Sequence, residues 1–124
     1  MKVMTSELSG AALDWAVAGL EGEDVWRESR NIYVRDDDGN SVSHYSPSTY
    51  WAQCGPIIER EKIDVMWCGD RWCAYTADAE CTTGGDRQLV TEGNTALIAA
   101  MRGYVTSKLG DEIKLPKELN HENK

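Results

Sequence analysis

The segment from Tyr45 to Ile63 constrains the fold most, because it combines aromatic rings, two prolines and a Gly-Pro step near the middle of the sequence. Proline fixes its own φ angle and has no N–H to donate, so it suits the first position of a helix and disrupts the interior. We therefore expect one helical turn over residues 50–53, a break at Gly55-Pro56 and a second start at Pro56. The segment should form a rigid loop, a short broken helix and the entry to a strand.

A hairpin is predicted directly after this segment. Side chains alternate between two faces over residues 63–67, with Ile63, Val65 and Trp67 on one of them. The chain then reaches Gly69-Asp70, which suits a two-residue hairpin loop. A loop of that length fixes the pairing of the two strands. We therefore expect Trp67 to lie opposite Trp72, and Met66 to lie opposite Cys73.

Two amphipathic helices are predicted on either side of these elements. The first spans about residues 10–20, with an apolar stripe at Leu13, Ala16, Val17 and Leu20. Asp14 is interpreted as a favourable charge near the positive end of this helix. The second spans about residues 95–109, and its buried face should contain Leu97, Ile98, Met101, Tyr104, Val105 and Leu109.

These elements predict the fold class and the domain organisation. A chain of 124 residues fits one domain. We expect a single α+β domain over residues 1–115, in which a mostly antiparallel sheet packs against the two helices. Residues 36–40 should form an acidic turn, residues 78–88 a mobile loop, and residues 116–124 a disordered charged tail.

Charge and hydropathy narrow the classes of partner. The net charge of −8 disfavours nucleic acid and anionic membranes, since both require a basic face. No apolar run approaches the ~20 residues that span a bilayer. Glu7 comes too early for a secretory leader. The sequence therefore predicts a cytoplasmic protein, whose four cysteines stay reduced.

The cysteines do not form the paired knuckles of a zinc site, because only Cys68 and Cys73 are near each other in sequence. A Cys54–His44 dyad is the one nucleophile–base pair that the sequence offers. Small unreactive thiols are the simpler interpretation. We predict no metal and no cofactor, and the absence of a complete catalytic set favours a protein that is not an enzyme.

The remaining cluster of functional side chains is aromatic and cationic. Tyr45, Tyr50 and Trp51 lie close in sequence, Gln53 adds an amide, and Arg60 adds a guanidinium that Arg102 can join. Rings that stack on a base and arginines that bind phosphate suit a nucleotide-type ligand. The alternative is that Trp51 belongs to the core and Arg60 to a surface ion pair.

The sequence resembles the NinX-like family of small phage proteins. The resemblance covers nearly the whole chain apart from residues 23–44, 68–93 and the tail, and it is carried by Ser6-Glu7-Leu8, residues 12–18, Tyr45-Ser46-Pro47-Ser48, Trp51-Ala52-Gln53, and residues 55–61, 97–102 and 105–110. Tyr50 stands where this family commonly has Asp, and Cys54 where it commonly has Gly. The second departure argues against chemistry at Cys54.

The resemblance implies an accessory protein of lambdoid phages and prophages. Within its motifs, the large and polar side chains are the ones that packing of the fold explains least, and such side chains line small-ligand sites. The predicted ligand-binding set is therefore Tyr45, Ser48, Trp51, Gln53, Glu59, Arg60 and Arg102. The first hypothesis is a small-ligand binder that counters host defence, with a nucleotide-type signal as ligand. The second is a module that binds a host protein through its acidic surface. The sequence leaves the number of subunits open.

Overall fold

The computed structural model describes residues 2–28, 31–35, 41–77 and 88–115. Within these ranges it has three α-helices, which are α1 (Gly10–Glu21), α2 (Trp51–Glu61) and α3 (Ala96–Leu109). The strands are β1 (Lys2–Met4), β2 (Val25–Glu28), β3 (Asn31–Arg35), β4 (Val42–His44), β5 (Asp64–Trp67), β6 (Trp72–Ala77), β7 (Gln88–Gly93) and β8 (Glu112–Lys114). A short 3-10 helix over Thr5–Glu7 joins β1 to the chain before α1.

The strands form three small antiparallel sheets, in the orders β1-β8, β2-β3-β4 and β5-β6-β7. The predicted hairpin is confirmed, because Trp67 pairs with Trp72 and Met66 with Cys73. Its loop holds Gly69 at φ 97°, in the left-handed region that glycine enters without steric cost. Glycine at the first of two loop positions matches the hairpin turn whose twist suits the flanking strands.

The third sheet packs against α3, and this contact builds much of the core. Leu97, Met101 and Val105 are buried on the helix, and Ala74 and Thr91 are buried on the sheet. Leu13 and Val17 of α1 join the same apolar cluster, whereas Ile98 packs against it while partly exposed. The predicted α+β class and both predicted helices are therefore confirmed.

The middle helix differs from the sequence prediction. Residues 51–61 form one continuous α-helix that runs through Gly55-Pro56 without a break. Pro56 lies in the second turn, so the hydrogen bond it forgoes is the single one to the carbonyl of Ala52. Cys54 and Ile57 are buried on the inner face of α2, and this packing stabilises the continuous helix. In the described ranges the architecture thus has α2 beside the two predicted helices, and its strands are divided among three small sheets.

Three predicted segments, the acidic turn at 36–40, most of the loop at 78–88 and the tail at 116–124, lie outside the described residues. None of the helices in the described ranges has the length and apolar character needed to cross a membrane.

Candidate functional site: two clefts that share the loop before α2

Two neighbouring clefts open on either side of the loop that precedes α2. The tryptophan cleft has a cavity volume of about 420 Å³ and is lined by Trp51, Trp72 and residues 94–97. The Asp14 cleft has a volume of about 300 Å³ and lies between this loop, the start of α1 and β3. Ser48 and Thr49 line both clefts, so the loop forms a shared wall.

Aromatic rings form one side of the tryptophan cleft. Trp51 is the first residue of α2, and it is 59% exposed although it is among the largest apolar side chains of the chain. Trp72 begins β6 and is half-buried, with its ring 5.6 Å from that of Trp67 at an angle of 63°. An exposed indole beside a second, anchored indole offers a face on which a planar ligand can stack.

The N-terminus of α3 also lines this cleft. Thr95 caps this 14-residue helix, because its hydroxyl accepts a hydrogen bond from the N–H of Ile98 at 3.1 Å. The N–H groups of Ala96 and Leu97 lie in the first turn, where a helix supplies them with no carbonyl partner. Both residues line the cleft. The positive end of the helix dipole therefore borders the same cleft as the exposed indole.

The Asp14 cleft contains a buried carboxylate. Asp14 is 4% exposed, and its Oδ1 accepts a hydrogen bond from the backbone N–H of Ser48 at 2.9 Å. Its Oδ2 accepts a longer bond of 3.4 Å from the hydroxyl of Ser46. Burial raises the pKa of Asp14 to about 6, although the bonds from Ser48 and Ser46 act in the opposite direction. A carboxylate in such a setting changes its charge near neutral pH.

The sequence interpretation of Asp14 was wrong, because this residue lies past the first turn of α1 and bonds to a distant loop instead of the helix end. A signal was present in the sequence. Asp14 lies at helical spacing from Ala11 and Ala18, which are both buried. A carboxylate in line with small buried residues indicates a buried polar contact.

Ser48 has an unusual environment for a small polar residue. It is 1% exposed, and its Oγ has no hydrogen-bond partner among the described residues. This hydroxyl lies close enough to Asp14 to lower the pKa of the carboxyl group, but it does not reach hydrogen-bonding geometry. Buried hydroxyls are normally paired, and the group on which this one acts is the Asp14 carboxylate.

Gln53 holds the loop in place. Its Oε1 accepts a hydrogen bond of 2.6 Å from the N–H of Ser46, and its Nε2 donates one of 2.9 Å to the carbonyl of His44. The N–H of Thr49 closes the turn onto the carbonyl of Ser46 at 3.0 Å. The predicted ligand-binding residue Gln53 therefore positions the wall between the clefts.

The structure brings part of the predicted site together. Ser48 and Trp51 line the tryptophan cleft, and Tyr45, which is 6% exposed, lines the Asp14 cleft. Burial is the main reason that the pKa of Tyr45 is raised. Glu59 is exposed near the far end of α2. Tyr45, Ser48, Trp51 and Gln53 thus form one unit, from which Glu59 is distant.

Arg60 lies in an ion-pair cluster at the opposite end of α2 from Trp51, about 13 Å along the helix axis. Its two terminal nitrogens donate to Glu21 at 3.0 and 2.6 Å, and its Nε donates to Glu61 at 2.8 Å. The guanidinium also lies over the ring of Tyr104. Its hydrogen bonds lower the pKa of both carboxyl groups and raise the pKa of Arg60.

Arg102 links three elements of the fold. Its Nε donates to the carbonyl of Leu8 at 2.7 Å, and a terminal nitrogen donates to the carbonyl of Glu92 at 2.7 Å. Burial lowers its pKa. Neither predicted arginine lines the two clefts.

The residues offer little support for nucleophilic or metal chemistry. Cys54 is fully buried, and desolvation raises the pKa of its thiol to about 12, which disfavours the reactive thiolate. The ring of His44 packs edge-on against that of Tyr33 at 4.8 Å. Cys54, Cys68 and Cys73 are free thiols. Across the described ranges, no group of three or more potential ligands could hold a metal ion.

The fold and the clefts define a small α+β protein in which one loop separates an aromatic cleft from a polar one. A family model described as "Bacteriophage P22, NinX" matches residues 4–108, a span that includes both clefts. The chain therefore belongs to this family of phage proteins, which confirms the resemblance seen in its motifs. No curated protein matches it significantly.

Proposed function

We propose that this phage protein is a non-enzymatic accessory factor that binds a nucleotide-type ligand in the tryptophan cleft, in the cytoplasm of the host. The observation that carries the proposal is the exposed indole of Trp51, which lines the same cleft as the N-terminus of α3. Such binding fits a role in countering host defence by sequestering a nucleotide signal.

The ring of the ligand is the part that the indoles recognise. Trp51 projects from the start of a helix whose inner face is buried, and Trp72 is held by its contact with Trp67. Stacking of a base on an aromatic side chain contributes about 1–3 kcal/mol by alanine substitution. A base stacked on the exposed indole of Trp51 would cover part of its apolar surface.

The anionic part of the ligand is assigned to the N-terminus of α3. A chain with a net charge of −8 repels phosphate at long range, so binding needs a local positive site. The donors of Arg60 and Arg102 already bond to carboxylates and carbonyls. Ala96 and Leu97 line the cleft and begin α3, and helix N-termini bind phosphate through their free N–H groups.

Calorimetry against a panel of cyclic and ADP-ribose-type nucleotides tests the proposal. We expect Trp51→Ala to weaken binding by roughly 5- to 150-fold, which corresponds to the loss of one stacked ring. Tyr50→Ala is the matched control, because Tyr50 is 57% exposed and adjacent in sequence but does not line the cleft. Arg60→Ala should also leave affinity unchanged.

Two results would count against this function. One is the absence of binding for every nucleotide in the panel. The other is equal affinity in wild type and Trp51→Ala. If no nucleotide binds and neutralising surface carboxylates abolishes capture of a host protein, the alternative of an acidic interaction module is favoured.

A further inference from the structure

We propose that Cys68 and Cys73 form a modification site, at which a low-molecular-weight disulfide such as oxidised glutathione converts the two thiols into an intramolecular disulfide. The site lies on the hairpin of β5 and β6, and it does not depend on ligand binding in the tryptophan cleft. Both cysteines are free thiols. Two thiols that lie together, unlike a single one, can exchange with an external disulfide and then resolve the mixed product.

The register of the hairpin places both cysteines on one face of the sheet. Met66 pairs directly with Cys73, and the hairpin closes with a bond of 2.8 Å from the N–H of Cys68 to the carbonyl of Arg71. Because side chains alternate along a strand, Cys68 shares the face of Met66, and therefore also that of Cys73. The next residue, Ala74, packs against α3, so this face points away from the helix.

The two thiols also interact directly. A hydrogen bond to Cys68 is the main reason that the pKa of Cys73 is raised. Tyr75, which shares this face, has a side-chain hydrogen bond to Cys68 as well. Cys68 therefore turns over β6 toward Cys73. The loop residue Gly69 lies at φ 97° with open space where a Cβ would be, so the end of the hairpin has room for the closer approach that an S–S bond requires.

The two cysteines differ in access to an external reagent. Cys68 is exposed, and its Sγ donates only a weak bond of 4.0 Å to the carbonyl of Met66. Cys73 is 5% exposed, and its raised pKa keeps it protonated. An external disulfide therefore reaches Cys68 first, and Cys73 is placed to resolve the product.

The exchange balances with oxidised glutathione as the single co-reactant. The thiolate of Cys68 attacks one glutathione sulfur, which forms a mixed disulfide, breaks the S–S bond of glutathione and releases one glutathione thiolate. The sulfur of Cys73 then attacks the sulfur of Cys68 and releases the second glutathione, while the proton of Cys73 passes to a released thiolate. Two cysteine thiols are thus oxidised to one disulfide, and one glutathione disulfide is reduced to two thiols.

Mass spectrometry of the reduced chain after incubation with oxidised glutathione tests the site. We expect wild type to lose two hydrogen atoms per molecule, and dithiothreitol to restore them. Trypsin cleaves after Arg71, so alkylation and digestion should give peptides 63–71 and 72–87 joined by one disulfide. Peptide 72–87 also contains Cys81, so Cys81→Ser is digested in parallel and should give the same joined peptides.

Single variants test the order of the two steps. In Cys73→Ser the mixed disulfide of Cys68 with glutathione should accumulate, because no thiol resolves it. Cys68→Ser should form neither the internal disulfide nor an adduct at the buried Cys73. Cys54→Ala is the matched control, since Cys54 is fully buried on α2, and it should form the disulfide as wild type does. Circular dichroism shows whether each variant is folded.

Three results would overturn the proposal. One is a wild-type mass that does not change at any ratio of oxidised to reduced glutathione. Another is a stable glutathione adduct on wild type, which would mean that Cys73 does not resolve it. The third is loss of the joined peptides in Cys81→Ser, which would assign the disulfide to Cys81. The wild-type mass needs no variant, so the test holds even if a substitution prevents folding.

Discussion

The Oδ1 atom of Asp14 accepts a 2.9 Å hydrogen bond from the backbone N–H of Ser48, a residue 34 positions further along the chain. This bond ties α1 to the loop before α2 and so fixes the wall between the two clefts. The carboxylate is buried to make it, and desolvation raises its pKa to about 6. One side chain thus couples the geometry of the candidate site to pH.

Asp14→Asn should change how stability depends on pH. The folded pKa of about 6 exceeds the value of 3.8 expected for the unfolded chain, so the folded state binds the proton more tightly. The stabilisation from protonating Asp14 is complete below pH ~4 and is lost as pH rises through 6, a change of about 3 kcal/mol. The variant keeps an acceptor for Ser48 N–H but has no charge, so its stability relative to wild type should increase from pH 4 to pH 7.

Chemical denaturation at several pH values measures this difference. Asp14→Ala is the control, because it removes the charge and the acceptor together and leaves the N–H of Ser48 unsatisfied. That variant should be less stable than Asp14→Asn at every pH, by about 1–3 kcal/mol. If the two stability curves of wild type and Asp14→Asn run parallel from pH 4 to pH 7, the carboxylate is not buried as described.

The Arg60–Glu21 pair should contribute modestly to stability and not to ligand binding. Its geometry is bidentate, but the Arg60 side chain is 50% exposed, so solvent screening limits its contribution to about 1 kcal/mol or less. A double-mutant cycle with Glu21→Gln and Arg60→Ala measures the coupling. The pKa of Glu21 is lowered, so the coupling should persist above pH ~4.5 and be lost as the carboxyl group is protonated.

Salt gives a second measurement of the same pair. The coupling energy should decrease when the ionic strength rises from low salt to 1 M, where the Debye length is only ~3 Å. Arg60→Lys keeps the charge but cannot form the two parallel bonds, so it should retain only part of the coupling. A coupling of several kcal/mol that is insensitive to salt would be inconsistent with the exposed position of Arg60.

Local patterns in the sequence were sufficient to predict much of the fold. The hairpin register followed from the two-residue loop at Gly69-Asp70, because loop length fixes which residues pair. The positions of α1 and α3 followed from the helical spacing of apolar residues, such as Leu13 and Val17 in the first and Leu97 and Met101 in the second. Each of these signals acts within a few residues.

The features that the sequence did not reveal depend on contacts between distant segments. Pro56 favours a break locally, but the burial of Cys54 and Ile57 keeps α2 continuous. The sequence analysis assigned Arg60 to a phosphate, because its main partner, Glu21, is 39 residues away and the pairing is not visible in the sequence. Trp51 lines the tryptophan cleft, and the first residues of α3 line it too, which the sequence could not reveal because the two segments are more than 40 residues apart.

Cys54 should be unreactive in the folded protein. Its thiol is fully buried with a pKa raised to about 12, so at pH 8 roughly one molecule in ten thousand carries the thiolate. We expect wild type and Cys54→Ala to give the same number of labelled thiols with an aromatic disulfide reagent under native conditions. After denaturation the variant should show one fewer. A lower native count in Cys54→Ala would mean that Cys54 is accessible and reactive.

Two glycines inside helices should respond oppositely to alanine. Gly19 of α1 has open space where a Cβ would lie, so Gly19→Ala should stabilise the fold by about 1 kcal/mol through helix propensity alone. At Gly103 of α3 a Cβ would meet Thr91 Oγ1 at 2.9 Å and Thr76 Cγ2 at 3.1 Å. Thr91 Oγ1 donates to the carbonyl of Ala99 at 2.9 Å, so its movement would disturb that bond. Gly103→Ala should therefore destabilise the fold by about 1–3 kcal/mol, although alanine has the higher helix propensity. Chemical denaturation of both variants measures this difference. Equal denaturation midpoints would show that α3 and the third sheet are not in the close contact described.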